Sequence, residues 1–410
     1  MVTTACFLCG GSRLTRVVDL GLHPLADTFL TEERLGEPEI RYPLTVVACG
    51  DCGHLMTGHV VPATIRYQAS EYSYTSSNSA VAVGHFDALA EEAARIAGLG
   101  PGDLAVDVGS NVGTLLARIA AHAGCRVLGV DPSPNIARLA ERNGVPTIAD
   151  FLTADVAAEI RGRGRPRLVT GTNVCNHVED QHAFARDVDA LLAPDGVLAL
   201  EVPYAGTLVE ETSFDTIYLE HVSYFFLAPL RRFWAERGFR IFRVSFNAYM
   251  GGSMRVYLSR HRPEDSRVAP LVRRELERRY FAPETYEAFT ARTVALKTAL
   301  MNRLYGIRAD GGRLIGIGAA TKGNTLLNFC GIDGTLLAYV TDASPLKVGK
   351  YTPGSRLRIR HDDEVVRGEV THGLILPWNI RDLLGRKFAG LGIELVVPHL
   401  AGPGDSLLAG

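Results

Sequence analysis

At 410 residues the chain is too long for one ordinary core and fits two or three domains. Its 47% hydrophobic and 21% charged residues are those of a soluble globular protein, and no apolar run approaches the roughly 18 residues of a membrane helix. The net charge is −2, and residues 1–80 hold five arginines, no lysine and eight acids (5 − 8 = −3), so no basic face for nucleic acid stands out. The first residues lack a charged-then-apolar leader, and a cytoplasmic protein is expected.

Two Cys-x-x-C units come first, Cys6-Phe7-Leu8-Cys9 and Cys49-Gly50-Asp51-Cys52, each followed by a glycine that lets the backbone fold back. Without export signals such pairs read as metal ligands rather than disulfides. Four thiolates around one tetrahedral ion describe a structural zinc site, closed to substrate, that stabilises a small domain over residues 1–79. A zinc ribbon for nucleic acid is disfavoured by the acidic balance. His54 adjoins the second pair, but four cysteines already satisfy the ion; His23, before a proline, is left out of the site. Tyr67 to Ser79 follows, dense in hydroxyls and aromatics, with three tyrosines in eight residues. That is more than a solvated connection needs, and the stretch is expected to overhang a ligand pocket.

Residues 80–100 read as an amphipathic helix that opens a second domain, 80–262. Leu104 to Thr114, with Asp107, Gly109, Asn111 and Gly113, reads as strand, tight turn and helix. A second strand, Arg126 to Val130, ends in Asp131, placed to accept hydrogen bonds from ribose hydroxyls. The D-x-G-x-x-x-G spacing differs from the G-x-G-x-x-G of dinucleotide sites, which favours S-adenosylmethionine: the sulfonium ligand has no pyrophosphate to cradle. Strands near 145–149, 167–171 and 197–202 alternate with helices from about Pro134, Thr153 and His182, so a doubly wound parallel sheet is expected. The runs at 239–244 and 253–258 lack a helix between them and should pair antiparallel.

In such sheets ligands lie beyond the carboxyl ends of the strands. The segments leaving those ends carry Asn173 to Asp180, with His177, and Ile217 to Phe226, with Tyr218, Glu220, His221 and Tyr224. If the second segment is helical, Tyr218 and His221 share a face; if extended, His221 points away from Tyr218 and Glu220. Two histidines at the ligand edge, with tyrosines and a carboxylate, point to catalysis.

From Pro263 to about Arg308 the chain is charged and helix-forming. Arg313 to Thr325 then repeats the strand, glycine turn and helix pattern, with strands at 336–340 and 373–376, so a smaller α/β domain is expected over 263–410. Lys322, one of five lysines, stands at a helix N-terminus that favours an anion. With Thr321 and Asn324, and with Ser253 and Arg255 as further candidates, it is expected to bind a substrate diphosphate between the two α/β domains; the loop 342–350 could add contacts.

The Cys-x-x-C pairs, Glu-Tyr-Ser-Tyr-Thr-Ser, Asp-Val-Gly-Ser-Asn-Val-Gly-Thr, Asn-His-Val-Glu-Asp, Tyr-Leu-Glu-His and Gly-Ala-Ala-Thr-Lys-Gly-Asn-Thr together resemble the sugar C-methyltransferases of deoxysugar biosynthesis. These motifs run from residue 6 to about residue 325. The resemblance implies methyl transfer from S-adenosylmethionine to C3 or C5, the carbons beside the keto group of a dTDP-linked 4-keto-6-deoxy sugar. It implies His221 as base, with Tyr72, His177, Tyr218 and Glu220 around the reacting carbon; Asp107, Gly109, Asn111, Gly113, Asp131 and Asn173 are the expected cofactor contacts. One departure is Val112, where the family often has an acid. The chemistry agrees: neutral imidazole can take a proton from carbon beside a ketone, and a tyrosine hydroxyl can stabilise the enolate oxygen. O- or N-methyl transfer on the same scaffold, and a non-catalytic nucleotide sensor, are the competing expectations. The oligomeric state is left open, with a monomer as one option.

Overall fold

The alternation of short, wholly apolar runs with amphipathic helices produces three sheets in a computed structural model that describes residues 1–398 apart from Ser70 and Asn78. The largest has seven strands. Counted along the chain from Leu104–Val108, their spatial order is 3-2-1-4-5-7-6, and the seventh, Ser253–Ser259, runs antiparallel to both of its neighbours. Leu104–Val108 is buried at all five positions, as expected of a central parallel strand covered on both faces. The expected pairing of 239–244 with 253–258 is observed between Arg240–Asn247 and Ser253–Ser259.

The C-terminal sheet has five parallel strands, with Leu314–Ile317 at its centre between Leu337–Asp342 and His372–Ile375. Its edge strands, Ile359–His361 and Glu394–Val396, are short and carry little periodicity to read.

The N-terminal sheet contains Leu14–His23, Tyr42–Cys49 and Leu55–Thr57, and its fourth strand is Ser223–Tyr224 from the middle of the chain. The zinc module therefore does not close on itself; it pairs with the strand that begins two residues after His221. One long helix, Pro283–Ala309, touches all three sheets' modules. Thr290 Oγ1 donates to the Val17 carbonyl at 2.5 Å, Arg292 Nε donates to Thr212 Oγ1 at 2.8 Å, and Lys297 Nζ donates to the Phe329 carbonyl at 2.5 Å. Among the described residues no helix is long and apolar enough to cross a membrane.

The four thiols of Cys6, Cys9, Cys49 and Cys52 lie within 4.8 Å of one another, with Cys6 to Cys52 at 3.6 Å and Cys9 to Cys49 at 3.5 Å. A tetrahedral ion with sulfur at about 2.3 Å requires sulfur separations of about 3.8 Å, so the set fits zinc. The turns that bring each pair together are closed by Gly10 N–H to the Cys6 carbonyl and Gly53 N–H to the Cys49 carbonyl, each at 2.9 Å. His54 stays out of the cluster: it is fully buried and its Nε2 bonds Ser223 Oγ at 3.2 Å.

Chelating zinc, or substituting Cys49→Ser, is expected to unfold the strands that carry Leu14 to Thr57, since binding to such sites supplies on the order of 10 kcal/mol of folding free energy in zinc-finger peptides. Calorimetry together with metal analysis would show a lowered melting temperature in step with zinc loss. An unchanged melting curve in the metal-free protein would refute a structural role.

Candidate active site

A cavity of about 510 Å³ opens at the carboxyl edge of the seven-stranded sheet, where the zinc module and the C-terminal domain meet it. Its floor is the turn after Leu104–Val108. Gly109 has φ of +67° and a Cβ there would lie 2.2 Å from the Val174 side chain; at Gly113, with φ of +80°, a Cβ would lie 2.7 Å from Val145. Only glycine gives this turn its shape.

The turn uses its N–H groups internally. Gly109 and Ser110 donate to the Val130 carbonyl at 2.7 and 3.2 Å, Asn111 to Asp131 Oδ2 at 2.9 Å, Val112 to Asn111 Oδ1 at 2.9 Å, and Gly113 to the Ser110 carbonyl at 3.0 Å. None of these five N–H groups is free for a phosphate. What faces the cavity instead is a pair of buried acids. Asp107 accepts from Thr170 Oγ1 at 2.6 Å, and burial, with a smaller contribution from Asp131, pushes it up to about 7. Asp131 is pushed up to about 6 by burial, against the N–H bonds of Ser133 and Asn111. Two desolvated carboxyls suit a cationic, ribose-bearing ligand, whose charge and hydroxyls would favour their ionised forms. S-adenosylmethionine fits this pair of acids. Asn173, with φ of +54°, also borders the cavity.

The expected overhang is present. Tyr72, Tyr74, Ser76 and Ser79 line the cavity, while Ser70 and Asn78 of the same stretch lie outside the described residues. Asn111 clasps it: its Oδ1 accepts from Ser76 N–H at 2.8 Å and its Nδ2 donates to the Tyr74 carbonyl at 3.1 Å. Asn135 does the same for Tyr72, with bonds of 3.3 and 2.9 Å to its N–H and carbonyl. Asn111 therefore acts on the protein's own strap as well as on the turn.

Residues 217–226 are neither helix nor continuous strand. A turn closed by His221 N–H to the Tyr218 carbonyl at 2.9 Å leads into the short strand at 223. The turn brings Tyr218 over His221, with ring centroids 3.8 Å apart. His221 Nδ1 lies 3.0 Å from the Thr216 carbonyl, which can only accept, so Nδ1 carries the hydrogen and Nε2 the lone pair. Nε2 accepts from the Tyr218 hydroxyl at 2.5 Å. His177 packs edge-on against His221 at 4.7 Å, and its Nδ1 meets the Tyr67 hydroxyl at 2.5 Å.

Burial sets the protonation of these groups. It holds His221 well below the ordinary imidazole value, helped by His177 and opposed by the Thr216 carbonyl. It lowers His177 to about 3, with the Arg66 charge adding to the effect. Glu220 is pushed up to about 7 by burial, then by the nearby Asp27 charge, against the Asp27 N–H bond. That bond, 3.0 Å to Oε1, leaves Oε2 buried without a hydrogen-bond partner among the described residues. Tyr72 lines the cavity and its hydroxyl has no hydrogen-bond partner among the described residues, whereas the Tyr218 hydroxyl is engaged by His221.

On the opposite wall stand Thr321, Lys322 and Lys347. The acceptors on Lys322 Nζ are neutral, Asn379 Oδ1 at 3.0 Å and the Met250 carbonyl at 3.4 Å; it also lies 4.8 Å from the Trp378 ring, and Asp215 acts on it through space. Three expected substrate contacts lie elsewhere. Arg255 is drawn into ion pairs with Glu201 and Glu92 at 2.7 and 2.8 Å, Ser253 Oγ donates to the Tyr249 carbonyl at 3.0 Å, and Asn324 Nδ2 donates to the Ala26 carbonyl at 2.7 Å. None of the three borders the cavity. Conversely, Tyr67, Asp27 and Arg66 organise the site without having been singled out from sequence. Tyr67 stood within the aromatic stretch, but the partners of Asp27 and Arg66 lie too far along the chain to leave a local signal.

If Asp131 holds the ribose, Asp131→Asn should raise the dissociation constant for S-adenosylmethionine about ten- to a hundredfold, the worth of a hydrogen bond to a charged acceptor. Titration calorimetry on the folded variant measures it, and unchanged affinity would remove Asp131 from the cofactor site.

Family models match residues 6–67 as a zinc binding domain, residues 84–244 as a methyltransferase domain and residues 248–398 as a C-methyltransferase C-terminal domain. The C-methyltransferase NovU of Streptomyces niveus is 35% identical over 400 residues, 96% of this chain and 94% of its own length. A ubiquinone biosynthesis O-methyltransferase from Methylobacterium is 35% identical over 107 residues, 24% of this chain and 42% of that protein. The crystal structure of magnesium protoporphyrin IX methyltransferase from Synechocystis, with bound SAM, is 18% identical and covers 44% of this chain and 81% of that one, with a TM-score of 0.34.

Proposed function

We propose, from the premise that this chain belongs to the C-methyltransferase family of NovU and uses S-adenosylmethionine, that it methylates the carbon beside the keto group of a dTDP-linked 4-keto-6-deoxy sugar. The observation that carries the reading is His221: a buried imidazole whose lone pair on Nε2 is aimed by the Thr216 carbonyl on the far side of the ring. A carbon acid beside a ketone needs such a base, whereas a hydroxyl or amine acceptor needs no enolate stabiliser.

Nε2 already accepts from the Tyr218 hydroxyl, so the two side chains act as a pair. The proton leaving C3 or C5 is taken by Nε2 directly, or by the Tyr218 oxygen as it passes its own proton to Nε2. Tyr72, whose hydroxyl has no partner among the described residues, donates to the keto oxygen as charge develops there. His177, held by Tyr67, packs His221 in place. Glu220, poised near neutrality with Oε2 unpartnered, holds or releases a proton beside the sugar. S-adenosylmethionine, when bound, supplies an electrophilic methyl group. Lys322 supports a diphosphate-bearing substrate, because a buried ammonium held by neutral acceptors is suited to an anion.

In heavy water the enzyme should wash deuterium into the carbon beside the ketone, and His221→Asn should lose roughly 10²–10⁴-fold of that exchange while still binding S-adenosylmethionine. Burial lowers the imidazole, so its neutral, active form persists through the ordinary value of 6.5 and is lost only as pH falls through the lowered one. Proton NMR of the sugar would therefore find exchange little changed between about pH 8 and pH 6. Retained exchange in His221→Asn would move the base to another residue, and an acid limb at 6.5 that persists in Glu220→Gln would contradict the neutral-imidazole account.

A further inference from the structure

We infer that Asp27, on the loop between the two zinc-binding cysteine pairs, is the positioning residue that sets Tyr72 against the substrate. The inference rests on the proposed role of Tyr72 as donor to the keto oxygen. Asp27 is buried at the edge of the cavity and its side chain receives three hydrogen bonds from two other parts of the chain. Oδ2 accepts from the Ser73 N–H at 3.0 Å, and Oδ1 accepts from Ser73 Oγ and from Thr321 Oγ1, each at 2.9 Å. Ser73 directly follows Tyr72, and Thr321 opens the C-terminal helix that carries Lys322.

Tyr72 has no secondary structure to hold it. Its backbone is clasped on one side by Asn135, and on the other the chain is pinned at Ser73 by Asp27. With both clasps in place the aromatic ring packs at 5.7 Å from Tyr67 and the residue lines the cavity. The same residue contributes its backbone N–H to Glu220 Oε1, so one position of the zinc module reaches the strap, the acid and the C-terminal domain. Asn at this position keeps the volume but offers one neutral carbonyl oxygen in place of two charged ones, so the Ser73 N–H and the Ser73 and Thr321 hydroxyls can no longer all donate to it and the bonds that pin the strap are weakened.

The test is a double-mutant cycle on the full-length, zinc-loaded enzyme with S-adenosylmethionine and a dTDP-4-keto-6-deoxy sugar, using Asp27→Asn, Tyr72→Phe and the pair. Asp27→Asn should lower kcat roughly ten- to a hundredfold, as loss of a hydrogen bond to a charged group does, with affinity for S-adenosylmethionine within about twofold. In the Tyr72→Phe background the same change should lower kcat little further, because the group it positions is gone. Effects that multiply in the pair, a silent Tyr72→Phe, or a change confined to KM would overturn the inference. Ser73→Ala, which removes one of the three donors, gives a milder version of the cycle should Asp27→Asn fail to fold, and must show the same non-additivity. Failure of the functional reading is seen separately, in wild-type enzyme that forms no C-methylated sugar.

Discussion

A buried guanidinium holds the site together. The Arg66 side chain has no solvent exposure, and its donors reach the Val61 carbonyl at 2.7 Å, the His177 carbonyl at 2.8 Å, the Glu220 carbonyl at 3.4 Å and the Glu179 carboxylate. An unpartnered charge in that place would cost several kcal/mol, so the carbonyls must be brought to it. Arg66 belongs to the zinc module, and His177 and Glu220 to the two segments that leave the carboxyl edge of the central sheet. The module's fold, fixed by four thiols, is thereby coupled to the placement of both segments, and Ser223–Tyr224 completes its sheet one residue beyond the turn that carries His221.

Desolvation gives each half of the cavity its character. On the cofactor side it raises Asp107 and Asp131, making a site that gains from a cation. On the other side it lowers His221 and His177 and raises Glu220, so that both imidazoles are neutral and the carboxyl, pushed up to about 7, is near the point of sharing a proton at neutral pH. The same dry junction makes a single hydrogen bond decisive, because a buried donor or acceptor without a partner is costly. That is how the Thr216 carbonyl selects the tautomer of His221.

Local patterns in the sequence reached the elements and the cysteine cluster, because a strand, a glycine turn and a Cys-x-x-C each declare themselves within a dozen residues. They also reached Tyr218 and His221, though not their geometry. The segment is a turn, so neither the helical nor the extended template described it, yet the three-residue spacing still brought the two side chains together. Arg255 reads from the sequence as a candidate substrate contact, but Glu201 on the adjacent strand and Glu92 on the helix Ala80–Ala97 pair with it. Asp27 could not be read at all: Thr321 and Glu220 lie 294 and 193 residues away from it. Contacts that assemble a site between modules are tertiary facts with no local trace.

The central claim is that the methyl group goes to carbon. Product formed from S-adenosylmethionine carrying a ¹³C-labelled methyl group, with a dTDP-4-keto-6-deoxy sugar as acceptor, settles it by carbon-correlated NMR. The account predicts a labelled methyl bonded to the carbon next to the ketone, with the proton at that carbon replaced. A label on oxygen or nitrogen, or no transfer by zinc-loaded enzyme, would contradict it.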